Sequence, residues 1–351
     1  MPETLDDGDR GYPGGRYPEQ RRIGQFNWLK IAGFSVIPED LLVTRRYFGL
    51  RHTDTALDAF LHGPRGSFYG VDHNVGSYGA ERKIWDQPEG GLIATGIGAM
   101  QAAADGMVPD PRHGAWSGTV AQELSSDGRI VFRGSGVSGA EEVSVGTEGI
   151  EWSSAAGVVQ LAGKLIGQGC QWHHSWRRPD GSTGEMLWCR HGYDVEGSYL
   201  GESVHGQVII NSMWANEPYP DTYWVRHRVG HWASFGNVYD DGTSEYGQIL
   251  VQEYGARGAV IVDNSGRQVV CTQNVSAFVG DNGAMRYEFG NGQTWEYTAD
   301  PRTYIHYNYN DNDTWVTWSG AIHRVGDTRK VVRGNASYQT ATRLPDPLPF
   351  T

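Results

Sequence analysis

Apolar and polar residues alternate along most of the chain, in short runs separated by clusters of turn-forming residues. Two predicted hairpins in the second half turn at Asp240-Asp241-Gly242 and at Gly290-Asn291-Gly292. Glycine in such turns accepts the positive φ that a tight antiparallel connection requires. Antiparallel strands escape exposed edges by closing on themselves, so the pattern predicts barrels or strongly curved sandwiches.

The first half follows the same alternation with one exception. Strands are predicted over 67–75, 91–99, 115–124 and 129–134. The preceding segment, 53–63, predicts a brief helix that begins at a Thr or Asp cap and ends at Gly63. Three apolar residues of this helix would face the core: Leu57, Phe60 and Leu61.

Composition divides the chain into four parts. Residues 1–22 are polar and rich in Gly, Pro and charge, which is typical of a loosely held arm. Strand patterns then fill 23–200 and 201–343, which we interpret as two consecutive β-barrel domains, and 344–351 form a tail. The expected fold is therefore all-β, with two antiparallel barrels or curved sandwiches and few short helices.

Charge and cysteine content narrow the possible partners. The net charge of -12 over 351 residues argues against nucleic acid as a partner. No apolar run is long enough to span a bilayer, and no apolar signal segment opens the chain, so we expect a cytoplasmic protein without membrane insertion. The three cysteines form no CxxC motif and fit reduced thiols. We expect a monomer or homodimer that uses no cofactor and no metal.

Aromatic and basic residues are concentrated in segment 167–194. It contains three tryptophans, three histidines and three arginines: Trp172, Trp176, Trp188, His173, His174, His191, Arg177, Arg178 and Arg190. The turn Pro179-Asp180-Gly181 splits the segment into two arms. We therefore predict a hairpin that brings imidazoles and indoles together.

Strand periodicity within the first arm indicates which side chains could act together. His174 shares a side with Trp172 and Trp176, whereas His173 lies opposite. Indole faces stabilise a cation, and histidine moves protons near neutral pH, so this set suits acid-initiated chemistry on an alkene. The alternative is that the tryptophans are barrel packing and that the histidine is hydrogen-bonded in the core.

Other clusters in the second half could contact a substrate: Trp224, His231, Trp232, Glu253 and Tyr254. His227 and His231 are four residues apart and would form a metal pair on a helix, but the flanking sequence favours a strand. Near the first strands, Asp72 and His73 are adjacent and would point to opposite sides of a strand. Motifs for nucleotide binding and for serine hydrolases are absent from the sequence.

The frame Gly167-x-Gly169 followed by His173-His174-Ser175-Trp176 resembles the signature GxGxxDHxWG of the carotenoid 1,2-hydratase (hydroxyneurosporene synthase) and AttH-like group. His173 stands where that signature has Asp. The group is also similar to lipocalin-like pericyclases. The resemblance implies two consecutive calycin barrels over about residues 23–343.

The same resemblance implies roles for individual residues. His174 and Trp176 would match the His-x-Trp of the signature, and Tyr193 and Asp194 are the nearest counterparts of a Tyr and Asp pair. Asp194 or protonated His174 would be the acid. Trp172 and Trp176 would hold the cation, and Tyr193 would position the substrate; His173 and Trp188 complete the expected substrate-binding set.

Three functions remain open from the sequence. The first is a hydratase or cyclase, without a cofactor, that protonates an unsaturated terpenoid-like or polyketide-like molecule. The second is a protein that binds a lipophile without changing it, since barrels of this kind enclose ligand cavities. The third is a carbohydrate-binding or carbohydrate-active β-sandwich, which as an enzyme would need a carboxylate pair.

Overall fold

The computed structural model describes most of the chain in discrete ranges. These are residues 27–32, 38–47, 49–77, 91–94, 96, 98–104, 106–167, 169–177, 182–216, 230–252, 257–265, 267–272, 274–280, 283–310 and 313–342. Regular structure in these ranges consists of strands and three short 3-10 segments, Pro38–Leu41, Pro64–Gly66 and Pro301–Thr303. No helix in the described ranges is long and apolar enough to cross a membrane.

The first sheet is strongly curved and contains 14 antiparallel strands. They are β1 (Asn27–Ala32), β2 (Arg51–His62), β3 (Phe68–Gly76), β4 (Gly91–Ala94), β5 (Gly98–Ala103), β6 (Gly106–Pro109), β7 (Thr119–Leu124), β8 (Ile130–Gly136), β9 (Gly139–Val145), β10 (Ile150–Ser154), β11 (Val159–Leu165), β12 (Cys170–Arg177), β13 (Thr183–Tyr199) and β14 (Glu202–Ala215). Its main path runs β1-β12-β13-β11-β10-β9-β8-β7-β4-β3-β2-β14, and β14 also pairs with β13.

The second sheet contains ten strands and closes into a barrel. They are β15 (Gly230–Tyr239), β16 (Ser244–Gln252), β17 (Arg257–Asp263), β18 (Gln268–Thr272), β19 (Val275–Val279), β20 (Met285–Phe289), β21 (Thr294–Ala299), β22 (Ile305–Asn310), β23 (Asp313–Arg324) and β24 (Val331–Thr342). The all-β prediction with two consecutive barrel-like units is confirmed.

The helix predicted over 53–63 is wrong, because Arg51–His62 forms strand β2. Leu57 and Leu61 are buried inside the first unit, and strand alternation places Phe60 on the other face of the sheet. Packing of both faces of this strand in the folded protein outweighs the local preference for a capped helix.

The division between the sheets also differs from the division at 200/201. Strand β14 lies beyond that position, and yet it pairs along its length with β13 and with β2. The first sheet therefore extends to Ala215.

The predicted hairpin of segment 167–194 is present as β12 and β13. Their antiparallel register pairs Trp172 with Trp188 and Cys170 with Arg190. Residues 178–181, the predicted turn, lie outside the described ranges.

Buried apolar side chains form three separate clusters. One fills the first unit around residues such as Leu57, Val71 and Trp152. Another fills the second barrel around Phe235, Trp295 and other apolar residues. A third joins the two units: it combines Trp188, Ile209 and Met213 of the first sheet with Tyr246, Leu250 and Val260 of the second. The face of β13, β14 and β2 that meets the second barrel is thus a buried interface, and it carries the polar groups described next.

Candidate functional site between the two sheets

One face of the first sheet collects side chains from four neighbouring strands, β13, β14, β2 and β3. Directly opposite residues of antiparallel strands project to the same side of a sheet. The register therefore defines three adjacent rows on this face, Trp188–Met213–Asp54, Arg190–Asn211–Ala56–Asn74 and Gly192–Ile209–Asp58–Asp72. Five of the eight residues in the second and third rows are polar or charged, although the surrounding cluster is apolar.

The second barrel covers this face through β15 and β16. Trp232 stacks on Trp188 with ring centroids 4.9 Å apart. Tyr246 lies over Gly192, where a Cβ atom would be 2.6 Å from Cε2 of the tyrosine ring. Glycine is therefore required at position 192 for the two sheets to approach this closely.

Arg190 is the cation at the centre of the interface, and its residue is only 3% exposed. Its Nε donates to Asn211 Oδ1 at 2.8 Å, and its Nη1 donates to Ser234 Oγ across the interface. The guanidinium carbon lies 4.0 Å from the ring centroid of Trp232. Burial lowers the pKa of Arg190, since the charged form loses its hydration.

Asp58 and Asp72 face each other directly across β2 and β3. Burial raises the pKa of Asp58 to about 7, although the charge of Arg190 opposes the rise. The pKa of Asp72 lies well above its usual range because of burial and the nearby charges of Asp58 and Asp54, and Asn74 partly offsets this by donating to Asp72 Oδ1 at 2.5 Å. Two adjacent carboxyls in a desolvated place do not both ionise readily.

The residues Asp58, Asp72 and Trp232 are each partly exposed. Ala56, between Asp54 and Asp58 on the same face of β2, contributes only a methyl group to the floor of this surface. The arrangement combines a carboxyl with a raised pKa, a cation and an apolar surround, a combination that is suited to acid–base chemistry.

Two sequence-predicted substrate-binding residues, Trp188 and Trp232, come to this face. Trp188 and Trp232 are in direct contact. The backbones of Trp172 and His174 pair with Trp188 and Met186 in β13, and that of Trp176 follows two residues later in β12. The side chains of these three β12 residues lie outside the description, as do residues Trp224, His227, Glu253 and Tyr254 as a whole.

The side chains of Tyr193 and Asp194 lie on opposite faces of β13, because neighbouring residues of a strand face opposite ways. Tyr193 is buried inside the first unit, where its hydroxyl is 2.8 Å from His191 Nδ1. Asp194 forms an ion pair with Arg333 of the second barrel. Burial raises the pKa of Asp194, and Arg333 opposes that rise.

His173 and His231 also lie away from the interface face. His173 is buried, and its Nε2 is 3.4 Å from Glu185 Oε2. His231 is inside the second barrel, stacked on Tyr338 and hydrogen-bonded to its hydroxyl. Burial lowers the pKa of His231 to about 4, so this imidazole is neutral near pH 7.

Sequence reasoning missed Asp58 and Asn211, and it included Arg190 in the aromatic and basic segment 167–194 without giving it a role. The alternation Asp54, Ala56, Asp58 against Thr55, Leu57, Ala59 carried a usable signal, since it predicts a strand with one polar face.

A second polar cluster lies inside the first unit and could hold a metal by residue type. His73, His113 and Glu141 bring ligand atoms within 4.8 Å of one another. The two Nε2 atoms are 3.3 Å apart, and His113 Nε2 is 2.8 Å from Glu141 Oε1. These separations are close to the ligand edges of a tetrahedral zinc site.

The hydrogen-bond donors of this cluster favour a buried, hydrogen-bonded carboxylate over a metal site. Trp116 N donates to His73 Nδ1 at 3.4 Å, which places the proton of neutral His73 on Nε2, facing Glu141. The indole N–H groups of Trp116 and Trp152 each donate to Glu141 Oε2 at 3.1 Å. Burial opposes ionisation of Glu141, but hydrogen bonds from His113 and His73 outweigh it and hold its pKa well below the usual range. Glu141 is therefore a buried carboxylate with hydrogen-bond partners on both of its oxygens.

Comparison with known proteins gives matches in structure only. No model of a known protein family and no curated protein matches the sequence. A Nitrosomonas europaea protein provisionally assigned as AttH is 13% identical, with a TM-score of 0.37, over 83% of this chain and 91% of its own. CghA determined with Sch210972 is 8% identical, with a TM-score of 0.39, over 82% of this chain and 88% of its own.

Kievitone hydratase from Nectria haematococca is 9% identical, with a TM-score of 0.29, over 82% of this chain and 88% of its own. The AttH-like group that the segment around His174 resembles is thus represented among these structures. We draw no conclusion about function from these low identities and TM-scores.

Proposed function

We propose that the protein is an enzyme that transfers protons to and from an unsaturated hydrophobic small molecule bound between its two sheets, by hydration, dehydration or cyclisation. The observation that carries this proposal is the opposed pair Asp58–Asp72, in which burial raises the pKa of Asp58 to about 7. A carboxyl that keeps its proton near neutral pH can act as a general acid, and its ionised partner can act as a base.

In the hydration direction, the protonated carboxyl of the pair donates its proton to one carbon of a double bond. The ionised carboxyl removes a proton from a water molecule, whose oxygen bonds to the other carbon. The pair holds one proton before and after the reaction, so water is the only co-reactant. Dehydration is the reverse, and in cyclisation a second carbon of the substrate takes the place of water.

The surroundings of the pair favour an apolar substrate. Ile209 and Met213 lie on the same face, Phe60 packs at its border, and the stacked indoles of Trp188 and Trp232 form one side. Apolar surface with a few convergent polar groups is typical of small-molecule sites. We keep His174 and Trp176 as predicted substrate contacts, because their backbones pair with Met186 and Gly184 of β13, the strand that also carries Trp188.

The test begins with native mass spectrometry of the purified protein and extraction of any bound small molecule. That molecule, together with a panel of prenylated phenols and polyene carbonyl compounds, is incubated with enzyme in ¹⁸O-labelled water. We expect wild type to convert a substrate, with label in the product if water is added. Asp58→Asn should be slower by roughly a hundredfold, because it removes general acid–base catalysis.

The matched control is Glu148→Gln, which neutralises one exposed carboxyl in the turn between β9 and β10. This variant should convert substrate at the wild-type rate. A bound molecule that wild type returns unchanged, with no conversion across the panel, would contradict catalysis and would identify a lipophile carrier.

A further inference from the structure

Arg190 is a buried cation without a carboxylate partner in the part of the chain that the structure describes. Its polar contacts, to Asn211 and to Ser234, are with neutral groups. The hydroxyl of Tyr246 lies beside the guanidinium and is also neutral, because burial raises its pKa above the usual range. A buried charge is costly unless an opposite charge accompanies it. The position of Arg190 therefore calls for negative charge from another source.

Asp58 is the carboxyl whose electrostatic interaction with Arg190 is strongest on this face. It forms no ion pair with the guanidinium, and together Asp58 and Asp72 hold one proton near neutral pH, because burial raises the pKa of Asp58 to about 7. Asp72 is also held toward its protonated form by burial. When the ionised carboxyl takes a proton from water, as in the proposed function, the pair becomes neutral and the charge of Arg190 is left for a bound molecule to balance.

The stacked indoles lead to the same conclusion. The guanidinium carbon of Arg190 is 4.0 Å from the ring centroid of Trp232 and 5.3 Å from that of Trp188. Aromatic faces attract one cation, but a second positive charge beside the first would be repelled. This platform consequently does not favour a substrate carbocation, which the sequence had suggested for neighbouring tryptophans. It favours negative charge that develops within reach of Arg190.

We propose that Arg190 binds an anionic oxygen of the substrate, so that the substrate is an acidic lipophile whose double bond is conjugated to a carboxylate or to an enolisable carbonyl. This inference rests on the proposed function, because it names the substrate class of the same site. In hydration, the ionised carboxyl removes a proton from water, the water oxygen bonds to the β-carbon, and the electron pair of the double bond moves onto the carbonyl oxygen beside Arg190. The protonated carboxyl then donates its proton to the α-carbon, and the carbonyl re-forms.

The experiment measures binding of three probes of equal chain length to the whole protein, through quenching or enhancement of tryptophan fluorescence. The probes are dodecanoate, dodecanol and dodecyltrimethylammonium, which are anionic, neutral and cationic. We expect dodecanoate to bind roughly tenfold to a hundredfold more tightly than dodecanol, because one charge-assisted hydrogen bond accounts for a difference in affinity of this size. The cationic probe should bind most weakly.

Variants at position 190 assign the preference to this residue. Arg190→Gln should bind dodecanoate and dodecanol equally, and Arg190→Lys should keep part of the preference because it keeps the charge. Urea denaturation of each variant establishes that it is folded. The wild-type comparison needs no variant: if dodecanoate fails to bind, or binds no more tightly than dodecanol, the inference is overturned. A preference that survives in folded Arg190→Gln also overturns it.

Failure of this inference is distinguishable from failure of the proposed function. Asp58→Asn should lose turnover and still prefer dodecanoate, since the cation is intact. Loss of turnover in Asp58→Asn without any anion preference in wild type would leave acid–base catalysis standing and would remove Arg190 as the group that binds the substrate oxygen.

Discussion

Replacement of Asp58 by Asn should stabilise the protein at alkaline pH while it removes activity. Asn is close in shape to the protonated carboxyl, which is the form that the interface accommodates. In the wild type, folding becomes less favourable as pH rises, because the folded protein holds a proton that the unfolded chain releases. This loss of stability begins at the ordinary pKa of 3.8 and is complete above the pKa of about 7 in the folded protein.

The size of the effect follows from the difference between these two pKa values. Each pH unit between the two pKa values changes the free energy of unfolding by about 1.4 kcal/mol, so full expression of the shift corresponds to about 4 kcal/mol. Partial exposure of Asp58 and relief by Arg190 reduce this, and we expect Asp58→Asn to be more stable than wild type by about 2 kcal/mol at pH 8. The two proteins should have equal stability near pH 4.

Urea denaturation of wild type and of Asp58→Asn, followed by tryptophan fluorescence from pH 4 to pH 9, measures this difference. Glu148→Gln is the control, since it removes a carboxyl that is exposed in the folded protein. Parallel stability curves for wild type and Asp58→Asn across the whole range would refute the raised pKa. Destabilisation by Asp58→Asn at pH 8 would show that the ionised carboxylate supports the fold.

Three further predictions concern the packing around the interface and the buried anion. Gly192→Ala should destabilise the protein by about 1–3 kcal/mol, because the methyl group collides with the ring of Tyr246; a midpoint in urea equal to that of wild type would contradict this contact. Glu141→Gln should lower the free energy of unfolding by about 3 kcal/mol, since it removes the anion that accepts hydrogen bonds from two indole N–H groups and contacts two imidazoles. Stoichiometric zinc in the wild type, found by elemental analysis, would instead indicate a metal centre. Arg333→Met should raise the pKa of Asp194, because it removes the cation that favours the ionised carboxylate. NMR of labelled aspartate measures this pKa, and an unchanged value would show that the ion pair is not populated.

The fold could be predicted to the level of strands and units because alternation and turns are local properties. Segment 53–63 is wrongly predicted as a helix, because cap residues also occur in strands. Its true structure depends on burial of Leu57 on one side and contact with β14 and β3 on the other, which only the assembled sheet supplies. Likewise, β14 could not be assigned to the first sheet without knowledge of its partners.

The candidate site was predictable only in part, for the same physical reason. The hairpin that carries Trp188 and Arg190 follows from the turn Pro179-Asp180-Gly181 and from the strand periodicity of its two arms, so it was accessible from the sequence. The pair Asp58–Asp72 depends on the register between two strands, and a shift by one residue would move both side chains to the other face. Contact between Trp188 and Trp232 depends on how the two sheets pack, which no local pattern encodes.

The central claim is that Asp58 keeps its proton near neutral pH, and infrared difference spectroscopy tests it most directly. The carbonyl stretch of a protonated carboxyl is followed from pH 5 to pH 9 in wild type and in Asp58→Asn. We predict a component of this band in wild type that disappears with a midpoint near pH 7 and that Asp58→Asn lacks, whereas Asp72, whose pKa is also raised, contributes to the band in both proteins. A wild-type spectrum without a component that titrates near pH 7, or identical difference spectra for wild type and Asp58→Asn, would contradict the raised pKa of Asp58.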